Sequence, residues 1–296
     1  MSDARQTHRL ATTLLAAFAV LGAASTKNNT SADDPRQTRV ASFDGWQKSA
    51  HSILERWKHG KSAIFGVSVH VEVVQWQRPD GTVERVEARS LKKIMDDLKT
   101  MNEDFAASGI AFIVKEFNWS VEEVPFDIDS SIALQAVRKA EEGHMIQKVL
   151  NRPMAGADSK KLIEINYLLG IGVGISGLAE IGHDEGGQIW IAGGTILPQV
   201  LSHEMGHHFG LKHTFDSSGD DVDDTPQGPN SMLLLGSDAD PNKNNIMSYS
   251  NFGCRSFSPG QIGKMKRHAV AHLASEYLEN EESDDLNPDP NDLMKP

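Results

Sequence analysis

From Ile64 onward apolar and polar residues alternate strictly. Phe65, Val67, Val69, Val71 and Val73 point one way and Ser68, His70 and Glu72 the other, the period of a half-buried β-strand. Beyond the Asp80-Gly81 turn, Leu91, Ile94, Met95, Leu98, Met101 and Phe105 recur three and four residues apart. That spacing predicts an amphipathic helix, capped by Ser90 and ended by Gly109. A strand over residues 110–117 follows, then a helix within 130–149, a strand over 161–168 and another over 188–192. Helices and strands interleave without an internal repeat, which predicts an α/β fold around a twisted sheet. Between the last two strands lie Gly170, Gly172, Gly174 and Gly177. Their spacing does not match a dinucleotide fingerprint, so they read as a flexible loop or bulge.

The flanks differ from this patterned middle. Arg5, His8 and Arg9 precede an apolar run over residues 10–24 that ends in Gly22, Ala23 and Ala24. The run is short for a membrane span and has the layout of a secretory signal peptide, taken as residues 1–25; an uncleaved anchor is the other reading. Residues 26–63 are polar, with a short amphipathic piece around Trp46, Ile53, Leu54 and Trp57, and read as a linker or pro-segment. A folded domain is expected over 64–278. Residues 279–296 carry seven carboxylates against Lys295, together with Pro288, Pro290 and Pro296, and read as a solvated disordered tail.

Composition narrows the function. The formal charge of −12 disfavours nucleic acid and anionic lipid as partners. The single cysteine, Cys254, excludes an internal disulfide framework. An exported chain of this kind must be held by its core, by metal ions, or by both.

The chemistry concentrates in Leu201-Ser202-His203-Glu204-Met205-Gly206-His207-His208-Phe209-Gly210-Leu211-Lys212-His213. Thr195 and Pro198 suit the entry to a helix, and Gly210 suits its end. Four residues turn a helix by about 400°, so His207 returns to within about 40° of His203 one turn along, and both rings can bind one ion. His208 is about 100° further round and is expected to pack or hydrogen-bond. A left-handed Gly210 would swing His213 back as a third nitrogen ligand. Three imidazoles leave one zinc position open, the arrangement of a catalytic site; a structural site would be closed by four protein ligands. Glu204, next to the first ligand, is placed to reach a zinc-activated water as general base. Downstream, Asn245-Ile246-Met247-Ser248-Tyr249 suits a methionine turn beneath such a site.

These motifs resemble the metzincin metalloproteases, and finer matches look like their pappalysin branch. The matches are His213-Thr214-Phe215, Asp224-Thr225-Pro226, the methionine turn, Phe257-Ser258-Pro259-Gly260-Gln261 and Met101-Asn102-Glu103-Asp104-Phe105. The resemblance covers about residues 64–273 and is dense over 203–265. It implies zinc on His203, His207 and His213, Glu204 as base, Met247 as a floor under the metal, and Tyr249 as a hydroxyl near the reaction centre. It further implies a secreted endopeptidase acting on proteins or peptides. The expected fold is then α/β (α+β): a two-lobed metalloprotease domain with a mixed sheet and the active-site helix above, and a loop-rich lower lobe closed by a C-terminal helix.

Read by itself, Met247 is adaptable packing and Tyr249 is a phenol able to donate to an oxyanion. Relatives tie the loop after the third histidine with disulfides, which this chain lacks. Its loop is instead dense in acid: Asp216, Asp220, Asp221, Asp223 and Asp224. Hard oxygen donors suit a structural calcium ion, and a solvated acidic loop is the alternative. Ser258-Pro259-Gly260-Gln261 reads as a capping box opening a helix with Ile262, Met265, Ala269, Leu273 and Tyr277 on its apolar side. His268 and His272 on it read as packing or surface residues. Two other functions fit the same residues, a silent zinc-binding or inhibitory protein and a small-amide hydrolase; the intact Glu204 argues against the first, and a protein-sized cleft along an edge strand over 178–182 against the second.

Overall fold

Strand β1 (Ala63–Gln77) organises the fold. In the computed structural model, which describes residues 35–123, 162–171, 174–182, 187–229, 237–249 and 255–279, it has three partners. β3 (Ile110–Glu123) runs parallel to it along nearly its whole length. β4 (Ile163–Leu168) pairs parallel over Val67–Val71, and β2 (Val83–Glu87) pairs antiparallel over Val73–Gln77. β6 (Gln188–Ala192) lies parallel to β4, and β5 (Gly177–Ala179) ends the path antiparallel to β6. The order β2-β1-β4-β6-β5, with β3 also on β1, is the mixed sheet of the expected α/β class. The leader expected at residues 1–25, the helix expected within 130–149, Gly172, Cys254 and the residues beyond Glu279 lie outside the described residues.

Alternation alone predicts one wet face for β1. Its first half is buried on both faces, residues 63–69 without exception, because β1 is an interior strand flanked along both edges. Phe65, Val67, Val69, Val71 and Val73 enter the main core, where α2 (Leu91–Phe105) adds Ile94, Leu98, Met101 and Phe105. α2 follows Ser90 and is extended by a short 3-10 turn to Gly109, whose φ of 66° ends it.

The chain groups into two compact units, 1–43 and 44–296. A helix, α1, spans Pro35–Lys58; of the first unit only its backbone is described. In the second unit its last turns bury Ala50 and Ile53 in the main core, and Trp57 Nε1 donates to Gly109 O at 3.0 Å. The amphipathic piece ahead of residue 64 thus packs with the elements that follow it.

Two further helices frame the site. α3 (Gln199–His208) follows β6, and α4 (Pro259–His272) follows a long irregular stretch. Phe209, which closes α3, is ringed by Phe65, Phe105 and Phe112 at centroid distances of 5.3–6.0 Å, and Phe257 packs on Phe105 at 4.9 Å. This aromatic cluster fixes the end of α3 against β1, α2 and β3. α4 opens with the capping box of Ser258 and Gln261 and buries Met265 and Ala269. Beyond it Leu278 N donates to Ile64 O at 2.9 Å, so the C-terminal segment returns to β1.

Candidate metal centre

A buried Arg89 positions the chain that enters α3. Its guanidinium donates to Thr195 O at 2.7 Å and Gly193 O at 3.3 Å, and pairs with Asp97 of α2 at 2.6 and 2.7 Å. Tyr167 Oη of β4 donates to the same carboxylate at 3.1 Å. The α3 entry is thereby tied to both a helix and the sheet.

On α3, His203 and His207 stand one turn apart with ring centroids separated by 4.8 Å. The helix stops at His208, and Gly210 turns the chain with φ 82°, a conformation a Cβ would resist. Phe209 and Gly210 donate back to Met205 O and His207 O, and the turn carries His213 round to its two companions. His213 Nε2 lies 3.1 Å from both His203 Nε2 and His207 Nε2. All three residues are buried.

Hydrogen bonds fix the tautomers of the helical pair. His203 Nδ1 lies 2.7 Å from Ile246 O, and His207 Nδ1 lies 2.7 Å from Leu211 O. A carbonyl only accepts, so each Nδ1 carries the hydrogen and each Nε2 presents its lone pair inward. Burial, and then the neighbouring imidazoles, hold His203 well below the usual histidine range; the same causes push His207 down to about 3. Neutral imidazoles with converging lone pairs repel unless a cation stands between them. Tetrahedral zinc with Zn–N of 2.0–2.1 Å separates its nitrogen ligands by about 3.3 Å, close to the spacing here. The donor set fits zinc.

Glu204 is buried beside this centre, and burial pushes its carboxyl up to about 8. Met247 is fully buried below α3, against Gly206, where a Cβ would stand 2.6 Å from its sulfur. The turn that carries it is held by paired amides. Asn245 Nδ2 donates to Gln261 Oε1 at 2.9 Å, Gln261 Nε2 returns to Asn245 Oδ1 at 3.2 Å, and Met247 N donates to that same Oδ1 at 2.8 Å. The capping glutamine of α4 therefore also shapes the methionine turn. Tyr249 is 40% exposed, with its ring 5.0 Å from His213, 5.7 Å from His203 and 4.8 Å from Phe215. Burial first, then the carboxylates of Glu204 and Asp216, push its phenol up to about 12, so it stays a donor.

Residues 170–272 match the family described as Metallo-peptidase family M12B, Reprolysin-like. The relatives in sequence are metalloproteases. The chain is 30% identical over 206 residues to an extracellular metalloprotease of Pyricularia oryzae, covering 58% of this chain and 65% of that one. It is 31% identical over 195 residues to an extracellular metalloprotease of Colletotrichum graminicola, covering 59% and 66%. It thus spans just under two thirds of the length of the curated relatives it matches. Metalloproteinase-II from Bacteroides fragilis aligns at 15% identity over 70% of this chain and 54% of that one, with a TM-score of 0.34.

The acidic loop is not drawn together around a cation. Among the described residues, His203, His207 and His213 form the only group of three or more metal-binding side chains with ligand atoms within 4.8 Å of one another. Three of the loop carboxylates have other partners. Asp221 pairs with Lys212 at 2.7 Å, Asp220 accepts from Thr225 Oγ1 at 2.6 Å, and Asp224 accepts from Ser258 Oγ at 2.6 Å and Gly260 N at 2.8 Å. Among the described residues the loop's carboxylates form no such cluster, and Asp220, Asp221 and Asp224 are tied by hydrogen bonds and lysines.

His208 is fully buried and pairs with Glu276 at 3.0 Å, away from the three ligands. The His268 and His272 rings lie 4.6 Å apart, tilted by 33°. Two neighbours of the centre have no role assigned from the sequence, although Phe215 stands in the His213-Thr214-Phe215 match. Phe215 lies flat on the His213 ring, and Gly177, read as loop, is the first residue of β5 and faces Glu204. Only the run of glycines upstream of the motif hinted at the second.

Proposed function

We propose that this chain is a secreted zinc-dependent endopeptidase of the pappalysin branch of the metzincins, hydrolysing peptide bonds in proteins. The observation that carries the reading is the convergence of three Nε2 atoms at 3.1 Å, with two of the tautomers fixed by backbone carbonyls, beside a buried carboxylate. His203, His207 and His213 would hold the ion through those atoms. Zinc bound there supplies Lewis acidity toward a substrate carbonyl and acidifies a water.

The protein's own groups do the rest. Glu204, buried beside the centre and acting as a carboxylate, takes the proton of the attacking water on a carboxylate oxygen and gives it to the leaving amine. Tyr249 donates its hydroxyl to the oxyanion. β5 ends the sheet order next to Glu204, and an extended peptide lies along it, held by main-chain hydrogen bonds.

Export is supported by the leader-like residues 1–25 and by relatives named as extracellular. Among the described residues no helix is long and apolar enough to cross a membrane.

The test is digestion of an unfolded protein such as casein, with and without phenanthroline. Cleavage that stops with the chelator and returns with zinc supports the reading. Glu204→Ala, folded and zinc-loaded yet cutting casein as fast as the wild type, removes it.

A further inference from the structure

We infer that Phe215 is a positioning residue of the metal centre: its ring fixes the plane of the His213 imidazole and braces Tyr249, so it sets how firmly the ion is held. The inference rests on reading the three histidines as a zinc site.

The three ligands are held by different means. His203 and His207 lie on α3, and each has its Nδ1 hydrogen-bonded to a carbonyl at 2.7 Å. Two contacts of that kind, backbone and ring, leave an imidazole little freedom. His213 lies beyond Gly210, outside the helix, and its Nδ1 faces the Asp216 carboxylate, 3.6 Å from Oδ1. Its ring plane also rests on a face. Phe215 stacks on His213 at a centroid distance of 4.7 Å with the planes 12° apart. Turning the imidazole about its Cβ–Cγ bond would tilt it out of that stack and swing Nε2 away from the other two nitrogens. The benzene ring offers no donor or acceptor, so its contribution is shape alone.

The backing ring is itself well fixed. On one side Thr214 N donates to Met247 O at 3.1 Å, and Gly228 N donates to Thr214 O at 2.9 Å. On the other, Asp216 N donates to His213 O at 3.1 Å. Residue 215 is thus pinned between two anchored neighbours. Its other contact is the Tyr249 ring, at 4.8 Å and 57°. One side chain therefore touches both the third ligand and the proposed oxyanion donor, and links the acidic loop to the methionine turn.

Zinc retention tests this without recourse to activity. The full chain is loaded with zinc and titrated with a coloured chelator, for the wild type, Phe215→Leu, Phe215→Met and Phe215→Tyr. Leu and Met fill similar volume without a flat face, and Tyr keeps the face. The expected result is zinc held about tenfold more weakly in the Leu and Met variants and within about twofold of wild type in Phe215→Tyr, the range seen when groups behind metal ligands are removed. The metal-free forms should melt together. Equal retention in all four proteins overturns the inference. So does a metal-free Leu or Met variant that melts as far below wild type as its zinc-loaded form, since Phe215 would then be general packing. A wild type that holds no zinc overturns the centre itself, and the inference with it.

Discussion

Gly177, at the start of β5, faces Glu204 so closely that a Cβ on it would stand 2.6 Å from both Cγ and Oε1 of the glutamate and 2.8 Å from Cγ1 of Val200. Gly177 has no positive φ, so backbone strain does not demand glycine here; space does. The edge of the sheet comes down onto the carboxyl group because there is no side chain between them. This is how a residue on a helix and a residue on a strand come to share one wall of the proposed cleft.

The first prediction follows from that contact. Gly177→Ala should destabilise the protein by about 1–3 kcal/mol, the usual cost of forcing extra volume into a packed site. Part of the cost should vanish in the Glu204→Ala background, where the opposing side chain is gone. A double-mutant cycle read by urea unfolding should give a coupling of about 1 kcal/mol. Strict additivity of the two changes would mean that the strand and the glutamate do not meet as described.

The second concerns the metal. A ligand that binds the folded chain alone stabilises it by about 4 kcal/mol at a thousand times its dissociation constant. Stripping the ion with phenanthroline should therefore lower the melting temperature, and zinc should restore it. His213→Ala should melt like the stripped wild type and should not respond to zinc. A melting temperature indifferent to chelation would leave the three imidazoles as a buried cluster with no ion to hold.

Tyr249 carries the third. Its ring touches His203 and His213 but offers them no nitrogen, and its phenol remains protonated far above neutral pH. Tyr249→Phe should keep the zinc content while lowering kcat, by as much as about a hundredfold if the hydroxyl is a principal donor to the oxyanion. KM should move less. A variant with unchanged kcat takes the hydroxyl out of the mechanism.

How far these features were legible in the sequence depends on the range over which each is determined. The convergence of His203, His207 and His213 is local: one helical turn, then one left-handed residue, within eleven positions. β1, α2, β4 and β6 are legible for a similar reason, since alternation or a three-and-four spacing marks each by itself. β2 is hidden because Val83-Glu84-Arg85-Val86-Glu87 is short and mostly exposed, and it is a strand only because the far end of β1 offers it an edge. β5 is hidden because a glycine in a glycine-rich stretch reads as loop until Glu204, 27 positions on, is seen to need the space. The acidic loop misleads in the same way. Asp221 and Asp224 are matched by Lys212, Lys264 and the first turn of α4, and no local pattern reveals partners up to 43 residues away.

Those loop contacts yield the last prediction, a pH dependence. The hydroxyl of Ser258, and then the Gly260 N–H, hold the Asp224 carboxyl below its ordinary range. A carboxyl with a lower pKa folded than unfolded contributes stability above its unfolded value, about 3.9, and loses it as pH falls through the folded value. Asp224 is exposed, so solvent screening keeps the effect small. Asp224→Asn should therefore melt slightly below wild type at pH 7, with the gap closing as pH falls below the ordinary carboxylate range and through the lowered folded value. Melting curves of the two proteins at matched salt, taken between neutral pH and acid, check the sign. A gap that widened in acid would show that the charge on Asp224 opposes the loop's attachment to α4, the reverse of what its two donors imply.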